Sequence, residues 1–280
     1  MVNLIRAHLA RLWKAPVFWL AMAAMYVTGT GLANSAIADW QVMVYGDISY
    51  TNSNIWGQPL CGSGLLFGFV AAALFSLFFG TEYSDSAIRN KLIAGHSRGR
   101  VYFATLLTAI LASLPLYLAS LLNALMRLPL FLQMPRPDPA ALALSLAGTA
   151  LLYAGQCSVC TMLCMLIHKK AVLAVVLIFL MVFSLFVAMQ VADAVGTNRG
   201  GMSMEYVGVD ENGAPLFVEH FTPPTENGPV LTFMTDFWPG YQADRYMDLD
   251  GSPIMLAYSA LLIFATTTVG LVGFRRKDIK

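Results

Sequence analysis

Six long apolar runs divide this chain, and shorter polar segments separate them. Each run holds about 20 residues or more, the length that an α-helix needs to cross the hydrocarbon core of a bilayer. Because backbone groups in lipid must satisfy their own hydrogen bonds, runs of this kind predict helices and not strands. The predicted spans are 17–38, 60–79, 101–126, 140–167, 171–192 and 254–274.

Residues 1–14 mix basic and apolar side chains, with Arg6, Arg11 and Lys14 among leucines. This pattern predicts an amphipathic helix that lies on the inner face of the membrane. A secretory signal peptide with a cleavage site at residues 36–38 is the alternative. The length of the apolar run that follows favours a membrane span.

The basic residues are unequally distributed between the two sides of the predicted bundle. With the N-terminus inside, 13 of the 17 Lys and Arg residues fall in inner segments and the other four in outer ones. Lys and Arg concentrate on the cytoplasmic side of membrane proteins. The sequence therefore predicts a multi-pass protein of the plasma membrane, with both termini in the cytoplasm.

The longest polar segment, residues 193–253, lies between the fifth and sixth predicted spans. Two β-type stretches, 204–209 and 214–221, flank Asn212-Gly213 and predict a β-hairpin. The prolines of the remainder predict loops. The segment holds ten acidic and two basic residues. Its negative charge either attracts cationic molecules to a pore exit or keeps the segment soluble.

Together these elements predict an all-α polytopic membrane protein with six transmembrane helices. A small extracellular insertion, α/β or containing a β-hairpin, is predicted between spans five and six. The predicted parts are a membrane domain at 1–192, an extracellular domain at 193–253, and a sixth span with a cytoplasmic tail at 254–280. With 12% charged residues and a net charge of +1, the composition disfavours a soluble domain and predicts no attraction to nucleic acid.

The chain lacks the residue patterns of several enzyme and transporter classes. It contains no Gly-x-x-x-x-Gly-Lys-Ser/Thr sequence, so ATP hydrolysis would have to come from another chain. The predicted spans carry almost no ionisable residues, although such residues mark proton and ion pathways. Ser63 has no histidine inside a predicted span to act as its base, which argues against an intramembrane serine protease. No catalytic residue is predicted.

Two groups of residues inside the predicted spans have a packing interpretation. Three of the four cysteines fall in one span: Cys157, Cys160 and Cys164. They are interpreted as packing residues, and neither a metal site nor a disulfide framework is predicted. The larger uncharged polar residues are Asn123, Gln156 and Gln190. We expect these to hydrogen-bond neighbouring helices or, alternatively, to contact a substrate along a transport path.

A charged stretch, residues 80–100, separates the second and third predicted spans on the inner side. Apolar side chains recur in it at helical spacing and predict a helix over residues 84–94 that turns them toward the bundle: Ile88, Leu92 and Ile93. The same spacing predicts that Arg89, Asn90 and Lys91 face outward. Ser84 is expected to cap the start of this helix, and Gly95 is expected to end it.

The sequence of residues 82–98, EYSDSAIRNKLIAGHSR, resembles the first cytoplasmic loop of type-2 ATP-binding-cassette permeases, chiefly those of Gram-positive bacteria. Ser86 and Ala87 stand where that family usually has Gly-Thr. The resemblance implies that residues 81–100 contain a coupling helix that docks on a separate ATPase subunit. The residues it implicates are Glu82, Tyr83, Ile88, Arg89, Asn90, Lys91, Leu92, His96 and Arg98.

By this resemblance the chain is expected to be the permease subunit of an exporter of peptides, drugs or lipids. ATP and magnesium would bind to the partner ATPase subunits, and no cofactor is expected in this chain. A second permease, identical or related, would complete the transport path, and membrane lipids would surround the pair. Two alternatives remain open: a non-transporting membrane sensor or anchor with an extracellular binding domain, and an ion-coupled secondary transporter.

Overall fold

The computed structural model describes residues 2–45, 55–84, 87–132, 136–167, 169–198, 201–209 and 215–276. Its first elements are α1 (Val2–Lys14), α2 (Pro16–Tyr45), α3 (Gly57–Cys61), α4 (Gly64–Ser84), α5 (Ala87–Ile93), α6 (Arg98–Met126), α7 (Leu128–Phe131), α8 (Pro139–Leu166) and α9 (Lys170–Asn198). The remaining elements are β1 (Gly201–Val209), β2 (Pro215–Thr222), α10 (Pro229–Phe237), α11 (Pro239–Met247) and α12 (Pro253–Arg276).

Within the described residues, six helical segments are long and apolar enough to cross a membrane. They are Pro16–Gln41, Gly57–Glu82, Arg98–Met126, Pro139–Leu166, Lys170–Asn198 and Pro253–Arg276. Each predicted span coincides with one of these segments. The prediction of an all-α polytopic membrane protein is therefore confirmed at the level of fold class.

The core of the bundle is centred on α4 and α8. Phe67 of α4 stacks on Tyr153 of α8, with ring centroids 3.8 Å apart and an angle of 7° between the ring planes. Such aromatic pairs contribute about 0.5–1.5 kcal/mol beyond the burial of their surface. Three cysteines of α8 are free, buried and part of the same core, in agreement with their interpretation as packing residues: Cys157, Cys160 and Cys164.

Hydroxyl groups connect the central helices near the start of α4. The Ser63 and Tyr153 hydroxyl oxygens are 2.7 Å apart, and Ser120 Oγ donates to Ser63 Oγ at 3.2 Å. The Tyr117 hydroxyl donates to the Leu60 carbonyl at 2.7 Å. Ser63 is therefore bonded to two other hydroxyl groups, neither of which is the base that a serine nucleophile requires.

The crossing of α2 and α6 depends on a glycine. A Cβ atom on Gly29 would overlap the carbonyl group of Ser120 in α6, whereas one on Gly31 would meet nothing within 4 Å. Asn123 of α6 donates from Nδ2 to Thr30 Oγ1 at 2.9 Å beside this contact. The two helices therefore approach to backbone contact, as small residues allow between membrane helices.

The chain between α9 and α12 forms an insertion of two strands and two helices. β1 and β2 pair as antiparallel strands, with Gly201 opposite Thr222. This agrees with the predicted hairpin, whose turn at residues 212–213 lies outside the described residues. The location of the insertion outside the cell stays a prediction.

The prediction that prolines break the rest of the insertion into loops is confirmed at Pro223 and Pro224 and is wrong at Pro229 and Pro239. Pro229, Pro239 and Pro253 are the first residues of α10, α11 and α12. Proline is favoured at this position, because the first amides of a helix have no intrahelical acceptor and the fixed φ of proline suits a helix. In addition, α9 continues to Asn198, past the predicted boundary at residue 192.

The insertion helices are held against the long helices by hydrogen bonds. Trp238 donates from Nε1 to the Ser184 carbonyl of α9 at 2.8 Å. Gln242 of α11 is buried and accepts a hydrogen bond from Ser259 Oγ of α12 at 2.8 Å. α11 and the residue before it are thus bonded to both α9 and α12.

We expect Gly29→Ala to destabilise the bundle, and Gly31→Ala to leave its stability unchanged or higher. The methyl group at position 29 would force α2 away from α6, and overpacking of this kind costs about 1–3 kcal/mol. At position 31 the methyl group meets nothing, and alanine is the better helix former. Thermal unfolding of both variants in detergent measures the difference, and equal melting temperatures would contradict the close contact of α2 and α6.

Candidate functional site

A buried carboxylate, Glu82, lies near the end of α4. Its side chain is 0% exposed, which is rare for a carboxylate without charged partners. Lys91 Nζ of α5 lies 2.7 Å from its Oε2, and Arg11 Nη2 of α1 lies 3.1 Å from its Oε1. Glu82 therefore joins three helices through two ion pairs. These three residues and His8 are called the Glu82 cluster below.

His8 adds an uncharged member to the cluster. It shares the buried face of α1 with Leu4 and Leu12. Its Nε2 lies 2.8 Å from Lys91 Nζ, a geometry in which the neutral ring accepts a hydrogen bond from the ammonium group. Burial lowers the pKa of His8 to about 4, and the Glu82 carboxylate opposes this only in part. His8 is therefore neutral at physiological pH.

The two cations of the cluster differ in their access to water. The Lys91 side chain is 15% exposed, and burial lowers its pKa against the opposing effect of Glu82. The Arg11 side chain is 48% exposed, and its guanidinium carbon lies 5.0 Å from the centroid of the Phe78 ring. Lys91 is thus the cation that would be left buried and unpaired if Glu82 were removed.

The bounds of α5 differ from the prediction at one end. Gly95 has a φ of +85°, its amide donates to the Leu92 carbonyl, and the next amide donates to the Lys91 carbonyl. This is the Schellman arrangement that ends helices at glycine, so the predicted stop is confirmed. The predicted start at Ser84 is wrong, because Ser84 is the last residue of α4. The cations of the Glu82 cluster lie near the C-terminal end of α4, where positive charge stabilises a helix.

The inner face of α5 is anchored by one isoleucine. Ile88 is 1% exposed and belongs to a buried cluster with side chains of α1, α6, α8 and α12: Leu4, Val101, Tyr102, Ala104, Leu106, Met165 and Phe274. Leu92 is partly buried and packs against the same cluster. A displacement of α5 would therefore be passed directly to several long helices.

The outer face of α5 consists of Arg89, Asn90 and Ile93, and these three residues are called the α5 surface below. Arg89 and Asn90 are exposed, as predicted, whereas the prediction that Lys91 also faces outward is wrong, because it turns to Glu82. Ile93 is 74% exposed, so the prediction that it turns toward the bundle is wrong. Ile88 and Leu92 are four residues apart and therefore share the buried face of α5. Ile93 is one residue further along the helix, so its side chain points away from that face. An exposed isoleucine on the same face as Arg89 and Asn90 leaves apolar surface available for a partner.

The other predicted docking residues have different environments. Arg98 donates from Nη1 to the carbonyls of Phe274 and Arg275, at 3.1 and 2.9 Å, and so caps the end of α12. His96 is partly buried, and its amide closes α5. The Tyr83 side chain lies outside the described part of the structure. Sequence reasoning missed the role of α1, although the spacing of Leu4, His8 and Leu12 marks its buried face.

The three residues of the predicted substrate path are not brought together. Asn123 of α6 is bonded to Thr30 of α2, and Gln156 of α8 donates to the Gly64 carbonyl of α4 at 3.2 Å. Gln190 is exposed on α9. The first two residues therefore connect neighbouring helices, which is the first of the two interpretations that their sequence allowed. Gln156 also borders a cavity of about 240 Å³ between α8, α9 and α12.

Comparison with protein-family models and with curated proteins finds no match to this chain. In the described ranges, no three His, Cys, Asp or Glu side chains are grouped so that they could hold a metal ion. The interactions that the structure describes at the site are ion pairs and apolar packing. Its function is inferred below from the geometry of the Glu82 cluster and of the α5 surface.

We expect Glu82→Ala to destabilise the junction of α1, α4 and α5 by about 3 kcal/mol, the scale for removing one partner of a buried ion pair. Lys91→Met removes the ammonium charge that would be left buried without a carboxylate, and it keeps most of the side-chain volume. The double variant should therefore be more stable than Glu82→Ala alone. Thermal unfolding of the four proteins in detergent gives the coupling energy, and strictly additive effects would contradict a buried pair.

We expect acidification from about pH 7 to pH 5 to loosen α1 from the bundle. The pKa of docked His8 is about 4, whereas an undocked α1 exposes a histidine with an ordinary value near 6.5. Between these values the undocked state binds more protons, so the stability of the docked state falls as the pH falls.

Hydrogen exchange of the α1 amides, corrected for the intrinsic effect of pH on exchange, measures this loosening. His8→Gln keeps a neutral polar side chain that cannot titrate, and its protection should stay level across the same range. Equal protection of the unmodified chain at both pH values would show that His8 does not control the docking of α1.

Proposed function

We propose that this chain is the permease subunit of a type-2 ATP-binding-cassette transporter, and that it works as an exporter. The observation that supports this most directly is α5, a short helix between the second and third membrane-crossing segments. It is fixed to the bundle by Ile88 and Lys91 on one face, and it exposes the α5 surface on the other. A partner that presses on this surface would move a helix already joined to the bundle.

The connections of α5 suit the transmission of force. On one side the Lys91–Glu82 ion pair joins α5 to α4. On the other side the Gly95 turn leads directly into α6, whose N-cap Ser97 accepts a hydrogen bond from the Arg100 amide at 3.4 Å. A helix that is bonded to its neighbours in this way transmits a displacement to them, whereas a flexible loop would absorb it.

A third long helix is joined to the same region. Arg98, at the start of α6, holds the carbonyl end of α12 through two hydrogen bonds. Phe274, at that end of α12, is fully buried in the cluster that surrounds Ile88. Movement of α5 would therefore reach α4, α6 and α12 together, which is the concerted motion that alternating access requires.

The proposed assembly divides the work between chains. Two ATPase subunits would bind ATP and magnesium and would dock on the α5 surface from the cytoplasm. Two permeases would enclose the transport path, and α9 and α12 have apolar surface for contact with lipid or with the second permease. On these helices Phe179 and Phe264 are 71% and 70% exposed. The expected substrates are peptides, drugs or lipids.

We expect Ile93→Asp to lower the ATP hydrolysis that co-purifies with this chain by about tenfold or more, because burying an unpaired carboxylate in an interface costs several kcal/mol. The complex would be purified from its native membrane in mild detergent, and ATP hydrolysis measured after reconstitution in liposomes. Val230→Asp is the matched control, since Val230 is 71% exposed in α10 of the insertion. It should leave the hydrolysis unchanged.

Other outcomes of this experiment would favour the alternative functions. A wild-type chain that never carries an ATPase would favour a membrane sensor or anchor. Transport that stops when the ion gradient is collapsed, although ATP remains, would favour a secondary transporter. Equal hydrolysis in wild type and Ile93→Asp would remove the α5 surface from the coupling interface.

A further inference from the structure

A polar cavity lies in the insertion, at the opposite end of the bundle from the Glu82 cluster. It is bounded by the end of α9, by α10 and α11, and by the start of α12, and its volume is about 440 Å³. Small-molecule sites in proteins have volumes of roughly 300–1,000 Å³. The cavity is therefore large enough for an amino-acid side chain together with the peptide backbone on either side of it.

The threonines of the lining offer hydrogen-bond acceptors and no donors. Thr225 Oγ1 donates to Asn198 Oδ1 at 3.3 Å, Thr232 Oγ1 donates to the Gly228 carbonyl at 3.2 Å, and Thr235 Oγ1 donates to the Thr232 carbonyl at 2.7 Å. A hydroxyl group has one hydrogen and two lone pairs. Each of these hydroxyls has used its hydrogen inside the protein, so only lone pairs remain for a ligand.

The charged groups of the lining are two carboxylates and one guanidinium. Arg245 Nη1 lies 2.9 Å from Asp236 Oδ1, and Arg245 Nη2 lies 3.4 Å from Asp250 Oδ2. One cation between two anions leaves a net negative charge. The Asp250 side chain is 65% exposed, so its carboxylate is open to a ligand as well as to Arg245.

Asn227 and Ser252 complete the polar part of the lining. The cavity thus combines threonine lone pairs with an excess of negative charge.

We propose that this cavity binds an organic cation, namely the primary ammonium or guanidinium group of a basic peptide or amine. Such a group carries several hydrogen-bond donors and no acceptor, which complements the threonine hydroxyls and the carboxylates of this lining, and its charge strengthens each bond. An inorganic cation fits less well, because no three acidic or other metal-binding side chains are grouped among the described residues. The ten acidic and two basic residues of 193–253 would also favour the approach of a cation.

Binding of this kind goes beyond the proposed transport function and does not depend on it. The test uses the full chain in detergent at about 150 mM salt, which screens distant charges. The probes are acetyl-Gly-Lys-Gly-amide and its norleucine analogue, which has a similar shape and no charge. Calorimetry should show binding of the lysine peptide, and binding of the norleucine peptide should be about tenfold weaker or more.

Substitutions then locate the site. Asp250→Asn should weaken binding of the lysine peptide by about tenfold, and Thr232→Val by several-fold, since charge-assisted bonds are the stronger ones. Asp193→Asn is the matched control, because it removes the same charge from an exposed position on α9 that does not line the cavity. It should leave the affinity unchanged.

Three results would overturn the proposal. They are no binding of the lysine peptide at millimolar concentration, equal binding of the norleucine peptide, and an equal loss of affinity in Asp193→Asn and Asp250→Asn. The last of these would show a diffuse negative surface in place of a defined site. None of these measurements involves the ATPase, so a failure to bind the peptide says nothing about the α5 surface. Likewise, a failure of the ATP hydrolysis experiment says nothing about this cavity.

Discussion

A carboxylate that is removed from water needs positive charge beside it, and this requirement determines how α1, α4 and α5 are arranged. Glu82 at the end of α4 is paired with Arg11 of α1 and Lys91 of α5. Removing one partner of such a group would leave an uncompensated buried charge, so the three helices hold their positions together. α1 and α5 are too short to be stable as isolated helices. Their structure therefore depends on this cluster and on the apolar contacts around Ile88.

The two ends of the bundle contrast in how their charges are satisfied. In the Glu82 cluster the carboxylate has two cations, and the histidine beside Lys91 is neutral. This arrangement favours rigidity, which a helix that transmits force requires. In the insertion, one arginine serves two carboxylates, and one of them, Asp250, has a side chain that is 65% exposed. That end has hydrogen-bonding capacity left for a ligand. The same kinds of residue thus stabilise the protein at one end and suit recognition at the other.

The membrane-crossing helices were predictable because a long apolar run in lipid has essentially one backbone solution. The end of α5 was predictable because glycine adopts the left-handed conformation that Gly95 shows. The prolines of the insertion were not, since proline both breaks a helix and begins one, and local sequence does not decide between the two. The partners of Glu82 were missed for another reason. An ion pair between α1 and α4 depends on how distant segments pack, which residue spacing within one helix does not report.

The neutral state of His8 limits how α1 can vary among related sequences. Its ring accepts a hydrogen bond from Lys91, so position 8 has to present an uncharged acceptor as long as position 91 carries an ammonium group. Arginine or lysine at position 8 would add a third cation beside a single carboxylate. Leucine would remove the acceptor, and Glu82 would then be the main partner of the Lys91 ammonium group. Which residues position 8 can accept therefore depends on the residue at position 91, although the two positions lie far apart along the chain.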